Sequence, residues 1–140
     1  MPQIEHIGIA VRSLATSVPL FENLLNCLCY KTEQVESEEV NTAFFRTGNA
    51  KVELLESTGA SGPITRFLDK RGEGIHHIAF EVEDILAEMQ RLSSLGFTLL
   101  NSEPKRGADN KLVCFLHPKT TNGVLVELCQ EIKPGGIKDR

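Results

Sequence analysis

The chain has no long hydrophobic run. Its uninterrupted apolar stretches are only a few residues, against the roughly 20 that a membrane-spanning helix needs. A bilayer is therefore not expected as a partner. Positive charge is not in excess either: 15 Lys and Arg stand against 19 Asp and Glu, a formal net charge of −4. Nucleic-acid binding draws on clustered positive charge that neutralises phosphates, so nucleic acid is excluded as the main partner. The opening MPQIEHIG has neither the basic nor the apolar part of a signal peptide, and the expected location is the cytoplasm. Cysteine is scarce: Cys27, Cys29, Cys114 and Cys129 show no zinc-ribbon spacing. In a reducing compartment they are expected to remain thiols that pack as small apolar groups. What is present is ordinary for a folded chain, with 41% hydrophobic and 24% charged residues over 140 positions. That length suits one compact domain or two half-size modules.

The sequence repeats itself. IEHIGIAV (Ile4 to Val11) matches IHHIAFEV (Ile75 to Val82), and His6 falls on His77 at an offset of 71. The same offset pairs Ser13 with Asp84, both good helix N-caps. It then pairs Leu14, Val18, Phe21 and Leu24 with Ile85, Met89, Leu92 and Leu95, an apolar stripe at helical spacing. Farther on, KVELLE (Lys51 to Glu56) matches LVELCQ (Leu125 to Gln130), so that Glu53 falls on Glu127 at an offset of 74. Several elements matching in the same order mark a duplicated module.

Each module reads as strand, helix and three strands. Module one, about residues 4–56, is expected to place strands at Ile4–Val11, Cys29–Val35, Thr42–Thr47 and Lys51–Glu56. Its helix runs from Ser13 to about Asn26, with Pro19 forcing either a later start or a bend. Module two, about residues 75–130, has strands Ile75–Val82, Phe97–Asn101, Leu112–His117 and Val124–Gln130. Its helix, Asp84–Leu95, ends at Gly96 in the left-handed position. A short helix over about 63–70 bridges the modules, and the terminal GGIKDR should fray. The expectation is one α+β domain spanning 1–140. It consists of two tandem βαβββ modules forming a curved, mainly antiparallel sheet with a cleft.

Alternation along the strands sorts the polar residues. Ile7, Ile9 and Val11 share the helix-facing side, leaving His6, Gly8 and Ala10 on the other. His77, Ala79 and Glu81 match them in module two, and Glu53 and Glu127 also fall opposite the buried Val and Leu positions. The small neighbours Gly8, Ala10 and Ala79 would leave room in front of this face. Two neutral imidazoles and two carboxylates suit a divalent ion such as Co, Ni, Mn or Zn, with open positions for a chelating substrate. A solvated tip on each residue would be the ordinary reading of one isolated His or Glu. His76 falls on the helix-facing side and is expected to support the site rather than bind metal. His117 has no counterpart in module one and is read as structural or substrate-facing. The polar stretch Asn101–Lys111 carries Lys105, Arg106 and Lys111, with Lys119 close behind, where an anionic substrate could dock.

These features resemble the vicinal oxygen chelate (glyoxalase) superfamily. Within it, IEHIGIAV, GEGIHHIAFEVEDI, EPKRGA and FLHPKTTNGVLVELCQ are similar to the methylmalonyl-CoA epimerase family, from about Ile4 to Gln130. The resemblance implies a metal held by His6, His77 and Glu127, with Glu53 as fourth ligand or close neighbour. It implies interconversion of the (2R) and (2S) epimers of an acyl-CoA substrate, and a homodimer. Thr42 stands where some bacterial relatives carry a glutamate proposed as a base. Deprotonation between a thioester and a carboxylate develops enolate charge that a divalent ion opposes. Epimerisation needs one group on each face of C2, and the repeat offers Glu127 and Glu53. A glyoxalase I-like lyase acting on a glutathione hemithioacetal, or a non-catalytic binding module of this fold, are the alternatives.

Overall fold

In a computed structural model the described residues are 2–133, so GGIKDR lies outside them. Two compact units divide the described residues: Glu5–His77, and residues 78–133 together with 2–4. In the first unit β1 (Gln3–Val11) is followed by α1 (Leu14–Leu25), β2 (Lys31–Val35), β3 (Val40–Thr47), β4 (Ala50–Ser57) and α2 (Pro63–Arg71). The strand order is β2-β3-β4-β1, with β1 parallel to β4 and the other pairs antiparallel. In the second, β5 (Gly74–Glu81) leads to α3 (Ile85–Ser94), β6 (Lys105–Gly107), β7 (Lys111–Leu116) and β8 (Val126–Glu131). Here the order is β5-β8-β7-β6, and again only the first pair, β5 with β8, is parallel. Each unit thus repeats one βαβββ topology.

The helices form where the apolar stripes require, but the stripes end one residue later than expected or one turn sooner. Leu14, Val18, Phe21 and Leu25 pack on Ile9, Val11, Ala43, Phe45 and Leu54, while Leu24 is 68% exposed. At about 100° per residue, Leu25 returns to within about 20° of Leu14, whereas Leu24 lies about 80° away. The matching helix buries Ile85, Met89 and Leu92 against Cys114, Leu116 and Leu128, and exposes Leu95 for the same reason. Ser13 caps α1 by accepting from the Thr16 amide, and the helix continues through Pro19. Asp84 caps α3 by accepting from Ala87. A second cap also repeats. The Leu14 amide donates to Oε2 of Glu56 at 2.9 Å, and the Ile85 amide donates to Oε1 of Gln130 at 2.7 Å. The last residue of each matched segment, KVELLE and LVELCQ, therefore ties down the helix of its own module, satisfying an orphan donor of the first turn.

Three expectations are corrected. Residues 97–101 form no strand; Leu99 makes one isolated bridge to Leu116, and Asn101 accepts from the Phe115 amide through its side chain. The strand that completes the second sheet is β6, inside the expected loop, where Lys105 pairs with Val113 and Gly107 with Lys111. Gly107 permits this pairing because a Cβ there would lie 3.0 Å from Val113 Cγ1. Ala10 leaves no open room either. Its face is covered by α2, whose Ile64 and Leu68 pack on Ala10, Val40 and Leu55. Among the described residues, no helix is long and apolar enough to cross a membrane.

Candidate metal centre

All four repeated polar residues are buried. His6 is 5% exposed, Glu53 3%, His77 6% and Glu127 6%. Solvated strand tips would not be, and a buried ionisable group must be paired or bound.

His6 and His77 come together within the first unit. Their Nε2 atoms are 3.0 Å apart and their rings meet edge-on at 85°. Gly8 makes the approach possible, since a Cβ at that position would overlap the His77 ring. The room expected in front of Gly8 is thus filled by His77 itself. On its other side His77 presents Nδ1 to Nδ1 of His76 at 2.9 Å, and His76 stacks edge-on against Phe67 of α2. A neutral imidazole carries one N–H. If each ring donates from Nδ1, two Nε2 lone pairs converge, an arrangement that a shared cation would stabilise. Nitrogens about 2.1 Å from an ion and at right angles to each other lie about 3.0 Å apart. The observed separation fits that donor geometry.

The opposite side of His6 is acidic. Nδ1 lies 2.5 Å from Oε1 of Glu5 and 3.2 Å from Oε2 of Glu53. Lys51, itself only 4% exposed, sits 2.7 Å from Oε2 of Glu5 and 3.7 Å from Glu53. Its ammonium also lies over the Phe44 ring at 5.5 Å. Burial on its own would raise the carboxyl pKa of Glu5. The hydrogen bonds to His6 and Lys51, and the Lys51 charge, outweigh it and hold Glu5 at about 2. Glu53 therefore touches the opposite nitrogen of His6 from the one that faces His77.

Sequence reasoning missed Glu5 and Lys51. Lys51 was within reach of it, since alternation places it on the face of Glu53 two residues later. Alternation assigns Glu5 to the side opposite His6, and only the length of the side chain returns its carboxylate to Nδ1.

The remaining sequence-predicted residues have the following surroundings within their own units. In the second unit, Glu127 on β8 lies between Ala79 of β5 and Phe115 of β7. Thr42 is 1% exposed opposite Leu55, and its Oγ1 meets no hydrogen-bond partner among the described residues. Lys105 and Arg106 are consecutive in β6, so their side chains leave opposite faces. Arg106 donates to Asn110 Oδ1 at 3.0 Å. Lys119 is exposed in the turn after β7, where its amide donates to His117 Nδ1. His117 thus caps that turn.

Residues 5–115 match the model of the Glyoxalase/Bleomycin resistance protein/Dioxygenase superfamily. The chain belongs to this family, and its α+β fold is the glyoxalase, or vicinal oxygen chelate, fold. Within the family, relatives named methylmalonyl-CoA epimerase match over most of the chain. It is 43% identical over 130 residues to the ethylmalonyl-CoA/methylmalonyl-CoA epimerase of Cereibacter sphaeroides, covering 91% of this chain and 97% of that one. The crystal structure of methylmalonyl-CoA epimerase from Mycobacterium tuberculosis superposes with a TM-score of 0.89 at 32% identity, over 93% of this chain and 88% of that one. A methylmalonyl-CoA epimerase in complex with methylmalonyl-CoA and NH4+ superposes with a TM-score of 0.88 at 34% identity, over 94% and 95%.

Proposed function

We propose that this protein is a metal-dependent methylmalonyl-CoA epimerase. The observation that carries the metal part is the pair of buried imidazoles with Nε2 atoms 3.0 Å apart. The acyl-CoA specificity rests on the relatives at up to 43% identity. In this reading His6, His77 and Glu127 are ligands, with Glu53 as fourth ligand or close neighbour. A divalent ion bound there supplies charge that opposes the negative charge developing on the thioester oxygen.

The chain's own residues handle the proton. C2 of the methylmalonyl group lies between a thioester and a carboxylate, so its proton is the acidic one. Glu127 takes or returns that proton on one face through a carboxylate oxygen, and Glu53 does so on the other. Thr42 cannot act as a base, since a hydroxyl has no accessible lone-pair basicity near neutral pH. Lys105, Arg106 and Lys119 are proposed to meet the anionic part of the substrate. A single domain, a homodimer and a cytoplasmic location belong to the same reading.

Proton NMR of methylmalonyl-CoA in D2O tests it. Metal-loaded protein should exchange the C2 proton and interconvert the epimers. Chelation should stop both, and adding back a divalent ion should restore them. Full activity after exhaustive chelation, with no metal by elemental analysis, would overturn the metal dependence. Turnover of methylglyoxal with glutathione, without C2 exchange, would replace the epimerase reading by the lyase.

A further inference from the structure

We propose that Glu5, held by Lys51, is a positioning residue that fixes the proton of His6 on Nδ1 and so presents Nε2 as a lone pair to the metal ion. This rests on the metal-centre reading above. Both oxygens of Glu5 are committed: Oε1 to His6 Nδ1 at 2.5 Å and Oε2 to Lys51 Nζ at 2.7 Å. The carboxylate therefore cannot turn toward the ion without giving up one of two buried contacts. Glu53, at 3.2 Å from the same Nδ1, is the longer and weaker acceptor. A histidine ligand whose second nitrogen donates to a carboxylate is held in one tautomer and one orientation.

The repeat supports the assignment independently. One residue before the second histidine stands His76, the counterpart of Glu5, and it too meets Nδ1 of its neighbour, at 2.9 Å. In both halves the residue preceding the histidine engages Nδ1. The charge follows the same logic. Glu5 needs a counter-ion in a buried setting and has Lys51. His76 can be neutral, and the counterpart of Lys51 at the offset of 74 is Leu125.

The test reads the tautomer directly, by long-range 1H–15N correlation of the histidine rings in the chelator-treated protein. His6 of the wild type should carry its proton on Nδ1. Glu5→Leu should move it to Nε2 or to a mixture, and Glu5→Gln, which keeps an acceptor oxygen, should restore Nδ1. In parallel, Co2+ and Zn2+ affinity measured by competition with a chromophoric chelator should fall about 10- to 100-fold in Glu5→Leu, and less in Glu5→Gln. A wild-type His6 with its proton on Nε2 overturns the proposal without any variant, and so decides the matter if Glu5→Leu does not fold. Unchanged tautomer and affinity in Glu5→Leu also overturn it. So does a proton that moves in Glu53→Gln and not in Glu5→Leu. If the wild type binds neither ion, the metal reading fails, while the tautomer still decides whether Glu5 positions His6.

Discussion

The two glutamates that the repeat superposes differ in the neighbours their own units give them. Glu53 lies in a charged nest, with Lys51 at 3.7 Å and His6 at 3.2 Å. Glu127 has Ala79 and Phe115 as its register partners, beside the apolar group of Ala79, Val113 and Cys129. Duplication conserved the strand position and the carboxylate, but the residue two before it is Lys51 in one half and Leu125 in the other. A carboxylate beside an ammonium is stabilised as the anion and is the poorer proton acceptor.

The comparison breaks most sharply at Lys51. Replacing it with Met leaves Glu5 and Glu53 buried near each other without their cation. We expect a loss of about 3–5 kcal/mol, read by urea denaturation. Leu125→Met, at the matching place in the second half, should cost less than about 1.5 kcal/mol. Equal losses would mean that the charged nest contributes no more than apolar packing does.

Next come the two carboxylates themselves. Glu127→Gln should lower turnover by about 10²- to 10⁴-fold, and deuterium incorporation should survive from only one epimer. Glu53→Gln should do the same from the other epimer in protein that retains metal. Wild-type turnover from both epimers in Glu53→Gln would end the two-glutamate scheme and leave Glu127 with a different partner.

The histidines give a finer contrast. His77→Ala should abolish tight Co2+ binding, whereas His76→Ala should weaken it about 10- to 100-fold by removing the contact to Nδ1 of His77. Titration of each variant with Co2+ distinguishes them, and reversed affinities would mean that the two roles are exchanged.

The smallest effect separates the thiols of the two units. Cys27 and Cys29 are half-buried, while Cys114 and Cys129 are buried, and burial raises the Cys114 thiol above its ordinary pKa. Near pH 8 a disulfide reagent should react first with two thiols, and mass spectrometry should place them at Cys27 and Cys29.

The sequence by itself determined the repeat, the βαβββ order of each half, both helix caps and the strand positions that carry the repeated His and Glu. Each of these depends on short-range rules: alternation every two residues, a stripe every 3.6, and a side-chain oxygen three residues before an amide. Those rules also erred in a local way, by placing Leu24 rather than Leu25 on the stripe and a strand at 97–101 instead of β6. Only the tertiary structure decided which nitrogen meets which partner. A strand period says which face a residue takes, but not how far Glu5 reaches, that Gly8 yields its space to a ring from β5, or that Lys51 sits within 2.7 Å of Glu5. Apart from the reach of Glu5 to its neighbour His6, such facts follow from contacts between residues some 45 to 70 positions apart in the chain, where backbone register and side-chain length act together and no local pattern records the outcome.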